Sequence, residues 1–499
     1  MKRYRFIAAT AIVVASVASV ASVATAQAPV AQLRARVPND SAVIARLVDE
    51  GMHRSHTAAD LEYLLDVIGP RMSGTPGIIH AGAWAQQKFR EYGLDGIHSE
   101  GWTFGVGWRR GPMTLRMLAP QQREMLGVSW AWAPGTNGPL AGDVVFMDAR
   151  TEAEFNRRFK GKLAGKWVMM GLPYPQENMA DPPVTHADTA RLDSLRSEIR
   201  AHNADETRFF GIRTALVAYE HPAGLIRDGG KQFGLFTMSG SPAAISSVPQ
   251  IVIGQQDYDQ FMRLARRGEP VRIEADINNS FTRDELQQFN TVAEIRGTER
   301  PDEVVLLGAH LDSWDLATGG TDNGAGADAV LEAARILAAS GIKPKRTIRF
   351  VLFSGEEEGL FGSQAYADAH RKELEKFQAV LVLDNGTGRI TGMTLQGRED
   401  LRDLWRDLLT PVAALTGGQV VVSSGNKTGT DHLSFLPYGV PAFNYDQLTR
   451  GYQWTHHSQI DVDDHVIPTD VAQAATVMAV NAWQLANLDV LLPRGPISK

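Results

Sequence analysis

The stretch EVVLLGAHLDSWDLATGGTD, residues 303–322, decides the fold. Val304 to Leu307 form a short apolar run of the kind buried on both faces in a parallel sheet. Its C-terminal end delivers His310, Asp312 and Asp315, and a Gly-rich turn then delivers Asp322. Residues 324–340 follow with apolar side chains at Val330, Ala333, Ala334, Leu337 and Ala338, the spacing of one helix face, and Gly341 stops the helix. The order strand, loop, helix then recurs. Arg346 to Ser354 reads as a strand opening into Gly355, Glu356, Glu357 and Glu358, and Phe377 to Leu383 as another opening into Asp384. Strands separated by helical stretches pair in parallel through crossovers, so their C-terminal ends share one edge, where open α/β sheets gather ligands. The expectation is an α/β fold, a mostly parallel twisted sheet with helices on both faces, in which His310, Asp322, Glu356, Glu357 and Asp384 converge.

That convergence has a chemical consequence. Four carboxylates at short range cannot all stay ionised unless something positive sits between them. A pair of divalent ions meets the need: one His and one carboxylate for each ion, with a carboxylate shared, suits two zinc ions of a hydrolytic site. Asp312, two residues after His310, is placed to orient its ring as an outer carboxylate. A second His is still wanted, and YQWTHHSQID, residues 452–461, offers His456 and His457.

The strings AHLDSWD (309–315), GGTDNGAG (319–326), FSGEEEGLFGS (353–363), LVLDNGTG (381–388) and HHSQID (456–461), in this order, resemble the di-zinc exopeptidases of metallopeptidase family 28, and within it the carboxypeptidase Q branch. The likeness extends over roughly residues 55 to 490. It implies the zinc exopeptidase fold and two Zn2+ per chain: His310 and Asp384 on one ion, Glu357 and His457 on the other, Asp322 bridging, and Glu356 as general base. His457 is preferred to His456 because the family's ligand stands four residues before an Asp, here Asp461. Some relatives place a Tyr immediately before this ligand to polarise the scissile carbonyl. His456 occupies that slot, as an oxyanion or substrate contact, and the oxyanion partner is left open. The resemblance also implies a cis bond between Asp322 and Asn323.

The rest of the chain fits around this core. Lys2, Arg3 and Arg5 precede an Ala- and Val-rich run to Val23, and Ala24-Thr25-Ala26 offers a cleavage site, so residues 1–26 read as a secretory signal and the protein as exported, periplasmic or secreted. An uncleaved anchor is the rival, disfavoured by the short run rich in Ala and Ser. The chain contains no cysteine, so an exported fold must stand without disulfides. With 57 acidic and 50 basic residues overall, three of the latter in the signal, the cleaved chain is near −10, which argues against a nucleic-acid partner.

Helices are expected over 39–56, over 57–68 with Thr57 as the cap, and to about Tyr92. Residues 27–124 are read as the N-terminal part of the catalytic domain. Residues 125–285, with short β-like runs such as GDVVFMD and TALVAY, resemble an inserted β-rich protease-associated domain, and 186–203 reads as an exposed amphipathic helix added to it. Residues 286–499 complete the catalytic domain.

Several features have plainer readings. GAGADA after Asp322 is no dinucleotide loop, since such loops follow a strand directly and an Asp at the mouth repels pyrophosphate. His432 reads as a core or helix-start histidine, Glu358 as a solvated third glutamate, and Asp315 as a turn or cap residue. In an extended segment His456 points away from His457, because neighbouring side chains alternate faces. The function expected is hydrolysis of short peptides, chiefly dipeptides with free termini, with an aminopeptidase as the alternative. Either terminus has candidates, Glu358 or Asp315 for an amine and Lys427 or Arg450 for a carboxylate. A catalytically inactive receptor-like relative would have lost ligands, and a glutaminyl-cyclase-like relative keeps one ion, whereas here every position is filled. The partner is a small peptide, with no stable membrane insertion after signal cleavage. A homodimer is left open.

Overall fold

The computed structural model describes residues 35–171 and 186–495. The stretch read as a signal lies outside them.

Two eight-stranded sheets carry the chain. In the first the strands lie in the order Asp95–Arg109, Ser280–Ile295, Arg346–Phe353, Arg300–His310, Phe377–Val382, Ala442–Gln447, Ile390–Thr394 and Val421–Ser423. The four from Arg346–Phe353 to Ala442–Gln447 are mutually parallel, and the long Asp95–Arg109 and Ser280–Ile295 ribbon joins them antiparallel. The sheet is therefore mixed, with a parallel centre. Alternate residues of its central strands enter different cores. Val305, Leu307 and Ala309 pack with the helices Ala325–Ala339 and Pro468–Ala486, whereas Val304 and Leu306 pack with Tyr366 of the helix Phe361–Ala369 and with Phe435. This two-sided burial explains why the strand reads as a continuous apolar run. In register, His310 lies beside Phe353 and Gly308 beside Val382, so Ser354 and Leu383 leave the sheet at one edge with the residues after His310.

The helix Ser41–His53 is capped by the Asp40 carboxylate and buries Ile44 and Leu47. The next helix differs from expectation. It starts at Thr57 with His56 as its cap residue, changes at Tyr63 to a π-helical turn through Ile68, and uses Thr57 as a buried acceptor for the Ser55 hydroxyl. The helix Pro76–Glu91 ends at Tyr92, and Gly93 follows with φ 75°.

The second sheet lies wholly between Arg109 and Ser280, from Met113–Ala119 to Arg272–Ile277. It is not β-rich throughout. Leu140–Phe146, Trp167–Met169, Gly224–Asp228 and Gln250–Ile253 are parallel neighbours, and parallel pairing requires crossovers. The helix Glu152–Arg158 lies in the first crossover and the long helix His186–Ala218 in the second. The expected helix at 186–203 thus continues to Ala218 and forms part of this sheet's connectivity instead of being added to it.

The two sheets meet in an aromatic core. Trp102, Phe104 and Trp108 from the first pack with Val252 of the second and with Trp132, Phe236 and Met238 of the loops between its strands, and with Trp314. Trp108 stacks on Trp132, Trp132 meets Trp314 edge-on, and Trp314 in turn meets the ring of His457 at 6.0 Å.

Candidate metal centre

The parallel centre of the first sheet brings His310, Asp322, Glu356, Glu357 and Asp384 to one edge, and the 452–461 segment adds His456 and His457. His310 is fully buried. Its Nε2 lies 3.4 Å from Asp322 Oδ1, 3.6 Å from Asp384 Oδ1 and 3.9 Å from Glu356 Oε2. Asp322 turns its other oxygen to His457 Nε2 at 3.4 Å and His456 Nε2 at 3.6 Å. Glu357 Oε2 is 2.9 Å from His457 Nε2. Asp322 therefore stands between two donor groups, His310 with Asp384 and His457 with Glu357. His310 Nε2, Asp322 Oδ2, Glu357 Oε1 and Asp384 Oδ1 are buried without a hydrogen-bond partner among the described residues. Orphaned donors and acceptors of this kind are rare in folded proteins and fit a cation held between them.

The electrostatics agree. Burial pushes the Glu356 and Glu357 carboxyls well above their usual range, reinforced by Asp384 beside the first and Asp322 beside the second. Burial opposes protonation of His310, yet the carboxylates of Glu356 and Asp384 raise its pKa well above normal. Asp322 is held low against burial by the imidazoles of His310, His456 and His457 that surround it. Buried donors of this kind take up protons that a divalent ion would displace.

Each side chain is held by a local device. Gly355 adopts φ 75° at the end of its strand, where a Cβ would meet Trp102 at 2.6 Å, and this turn swings Glu356 and Glu357 into the site. Asp461 accepts from Thr321 N and Oγ1, both at 2.7 Å, and from Asp322 N at 3.0 Å. The Asp322–Asn323 bond is cis. Asn323 Nδ2 donates to Leu383 O at 2.9 Å, which ties this loop to the residue before Asp384.

Some roles differ from the sequence expectation. The Nδ1 of His310 finds the main-chain oxygen of Asp312 at 3.1 Å, while the Asp312 carboxylate is farther, at 3.7 Å. That carboxylate accepts instead from Glu357 N at 3.2 Å, so Asp312 positions the Glu357 backbone as well as the loop after His310. His456 does not point away from His457. The segment is not extended: the helix Tyr452–Thr455 ends just before it, His457 has φ 59°, and the two imidazoles stack with centroids 3.7 Å apart, both toward Asp322. Glu358 is not solvated, being buried with its pKa raised by burial and by Asp312 and Glu357. Asp315 forms a two-pronged ion pair with Arg110, at 2.8 and 2.9 Å, fastening the catalytic loop to the strand that leads into the second sheet. Lys427 is paired with Asp446 and Arg450 with Asp470, and neither lines the cavity at the site. His432 lies buried against Gln396, as a core histidine.

Other residues were not singled out as site candidates, although GTDHLSF (429–435), which holds Asp431, resembles a family segment near the pocket. Arg71 is fully buried and donates to the carbonyls of Leu311, Gly69, Thr318 and Gly319, so it shapes the loop between His310 and Asp322. Asp431 is buried near Glu356, its pKa pushed up to about 7 by burial. Tyr452 is tilted against His456 at 5.0 Å and lines the cavity. The loop between the strands Gly224–Asp228 and Gln250–Ile253 of the second sheet supplies a clamp: Met238 O takes His457 Nδ1 at 2.9 Å, Met238 N donates to His457 O at 2.9 Å, Phe236 N donates to Gln459 Oε1 at 2.9 Å, and Lys231 Nζ donates to the carbonyls of Gln453 and His456. These contacts join residues more than 200 apart in sequence, and no local pattern announces them.

A cavity of about 910 Å³ opens onto Asp322, Glu356, Glu357, Asp384, His456 and His457. A parallel α/β centre with paired His and carboxylate donors beneath such a cavity fits a metal-dependent hydrolase. The profile of peptidase family M28 matches residues 290–482. Carboxypeptidase Q of Mus musculus is 28% identical over 454 residues, 90% of each chain. The solved structure of a peptidase M28 precursor from Shewanella amazonensis SB2B superposes with a TM-score of 0.75 at 26% identity, covering 91% of this chain and 98% of that one. An aminopeptidase from Aneurinibacillus sp. strain AM-1 shares the fold, with a TM-score of 0.60 at 19% identity over 90% of this chain and 98% of its own. The resemblance read from the five motifs is thus met by the family match and by relatives spanning the chain.

Proposed function

We propose that this protein is an exported di-zinc exopeptidase acting on short peptides, chiefly dipeptides with both termini free. The observation that carries the reading is Asp322 shared between two buried donor groups, with Glu356 beside them at the cavity wall. In it, His310 and Asp384 would hold one zinc and His457 and Glu357 the other, with Asp322 between them. The two ions supply a water of lowered pKa and a polarised peptide carbonyl. Glu356 takes the water's proton and returns it to the leaving amine, and its raised pKa suits a group that must hold that proton in mid-reaction. His456, kept neutral by burial with its pKa near 4, faces the same cavity as a donor to the developing oxyanion. The inserted sheet is the protease-associated part and closes one wall.

Among the described residues no helix is long and apolar enough to cross a membrane. Export rests on the charged and apolar pattern of residues 1–26, and N-terminal sequencing of the mature protein is expected to begin at Gln27.

An aminopeptidase is the second reading, favoured by Glu358, a carboxylate beyond the proposed ligands that lines the cavity. Metal analysis together with a free dipeptide, its N-acetylated form and its C-amidated form separates the two. The proposal expects two zinc per chain and loss of rate on blocking the carboxylate. Full activity on an aminoacyl-nitroanilide makes the enzyme an aminopeptidase, and absence of bound metal after zinc loading ends both readings.

A further inference from the structure

The segment that carries His456 and His457 has the main-chain carbonyls of residues 452–457 met one by one. Tyr452 O accepts from His456 N and Thr455 O from Ser458 N, each at 2.8 Å, Trp454 O accepts from Ser458 Oγ at 2.8 Å, and His457 O from Met238 N at 2.9 Å. The remaining two, Gln453 O and His456 O, both accept from Lys231 Nζ, at 3.1 and 2.5 Å. Lys231 is 8% exposed. It stands just past the strand Gly224–Asp228, where Gly230 takes φ 70° and the Gly229 amide donates to Ile253 O at 2.8 Å, so the lysine leaves the second sheet along a fixed path. A buried ammonium has given up water, and here it meets carbonyls at a helix end that lack donors within the helix.

The two histidines depend on this cation unequally. The ring of His457 is tied to Met238 O through Nδ1 at 2.9 Å. The ring of His456 stacks on His457 with centroids 3.7 Å apart, tilts against Tyr452 at 5.0 Å and brings Nε2 to 3.6 Å from Asp322 Oδ2, so its direction follows its backbone. That backbone turns the His456 carbonyl toward Lys231 and continues into His457 at φ 59°, a conformation that residues with a Cβ disfavour. Removing the ammonium leaves a buried carbonyl unpaired beside a strained residue, and relaxation of that peptide would carry the His456 ring out of place.

We infer that Lys231 is the positioning residue of His456, so that one ammonium group from the second sheet sets the imidazole that faces the cavity beside the metal donors. This rests on the proposed function, in which His456 donates to the developing oxyanion, and extends it to a residue that acts through the main chain of the histidine segment.

The first readout stands apart from activity. Zinc-loaded protein with 15N-labelled histidine and lysine is compared by NMR with its Lys231→Met and Lys231→Arg variants. Lys231→Met, similar in length but without charge or donors, should displace the His456 ring signals while the bound zinc and the signals of the buried His432 stay as they are. Lys231→Arg, which keeps a cation with N–H donors, should bring them part of the way back. The second readout is turnover of a free dipeptide. In Lys231→Met kcat should fall on the order of 10²–10³-fold with KM within about threefold, the loss of one oxyanion donor. His456→Ala combined with Lys231→Met should be no slower than His456→Ala alone, because the lysine acts through that ring. His456 signals unmoved by Lys231→Met, displacement spread over all the histidines, or a multiplicative loss in the double variant overturns the inference. Should the Lys231 variants not fold, the parent decides alone: ammonium protons of Lys231 that exchange more slowly than those of exposed lysines support the two carbonyl contacts, and equally fast exchange overturns them. A displaced His456 ring in a protein that hydrolyses no peptide removes the proposed function and leaves the positioning role standing.

Discussion

Glu356 and Glu357 are neighbours in sequence that meet different partners. Glu357 touches His457 at 2.9 Å and its amide is held by Asp312, whereas Glu356 reaches His310 only at 3.9 Å and faces the cavity. On the proposed assignment, Glu356→Gln keeps both ions and lowers turnover roughly 10²–10⁴-fold, the usual contribution of a general base. Glu357→Ala is expected to lose one ion by metal analysis. If Glu357→Ala retained two zinc and Glu356→Gln lost one, the two roles would be exchanged. Legibility at this scale followed strand ends. The placement of His310, Glu356, Glu357 and Asp384 could be read because each leaves a buried strand at a fixed register. The orientation of His456 could not, since it depends on a helical turn at Tyr452–Thr455 and a left-handed His457. Glu358 and Asp315 were misjudged for a related reason: burial and the Arg110 pair are set by segments far away in sequence.

Two elements behind the site invite measurement. The loop Gly319–Gly324 is gripped by Asp461, whose carboxylate accepts three hydrogen bonds from Thr321 and Asp322. Asp461→Ala leaves those buried donors without partners. It is expected to destabilise the protein by at least about 1–3 kcal/mol and to weaken zinc binding as the loop relaxes. Urea midpoints with and without zinc check this, and unchanged midpoints would count against the grip.

The helix Ala325–Ala339 buries Asp328, whose pKa is raised well above normal by burial and by Asp60 and Glu332, against smaller opposing effects of Thr57 and Lys88. Folded protein therefore keeps a proton on Asp328 at pH values where the unfolded chain, with an aspartate near 3.9, has released it. Unfolding releases that proton, so stability from this group is present at low pH and declines as pH rises from about 4 toward the folded pKa, by up to about 1.4 kcal/mol per pH unit. Asp328→Asn should flatten the dependence of the urea midpoint between pH 5 and 7, and an unaltered slope would mean that Asp328 is ionised in the fold. The helix itself was readable from its apolar spacing, but a buried acid on it was not, because Asp60 and Lys88 approach from other helices.

At the scale of the molecule, the parallel centre could be read from periodicity. The way the second sheet closes on the first could not. Its connectivity is visible only once the crossover helix His186–Ala218 is placed, and its contact with the site runs through Met238, a residue without functional chemistry of its own.

That contact makes the two sheets thermodynamic partners. Because Met238 grips both the ring and the main chain of His457, whatever ordering zinc imposes on His457 is felt by the second sheet, and by reciprocity the packing of the second sheet sets part of the zinc affinity. Met238 is fully buried among Trp132, Phe236 and Val252. Met238→Ala removes no donor or acceptor but about 2–5 kcal/mol of packing. Each 1.4 kcal/mol of that loss expressed at His457 raises the zinc dissociation constant about tenfold. Competition with a chelator measures the constant, and amide hydrogen exchange in Gly224–Asp228 and Gln250–Ile253, with and without zinc, measures the same coupling from the other side. Equal zinc affinity in the variant and exchange indifferent to zinc would show that the sheets fold as independent units. The expected result makes the insertion a silent share of the metal site, so that mutations far from any ligand register as a change in how tightly the enzyme holds its zinc.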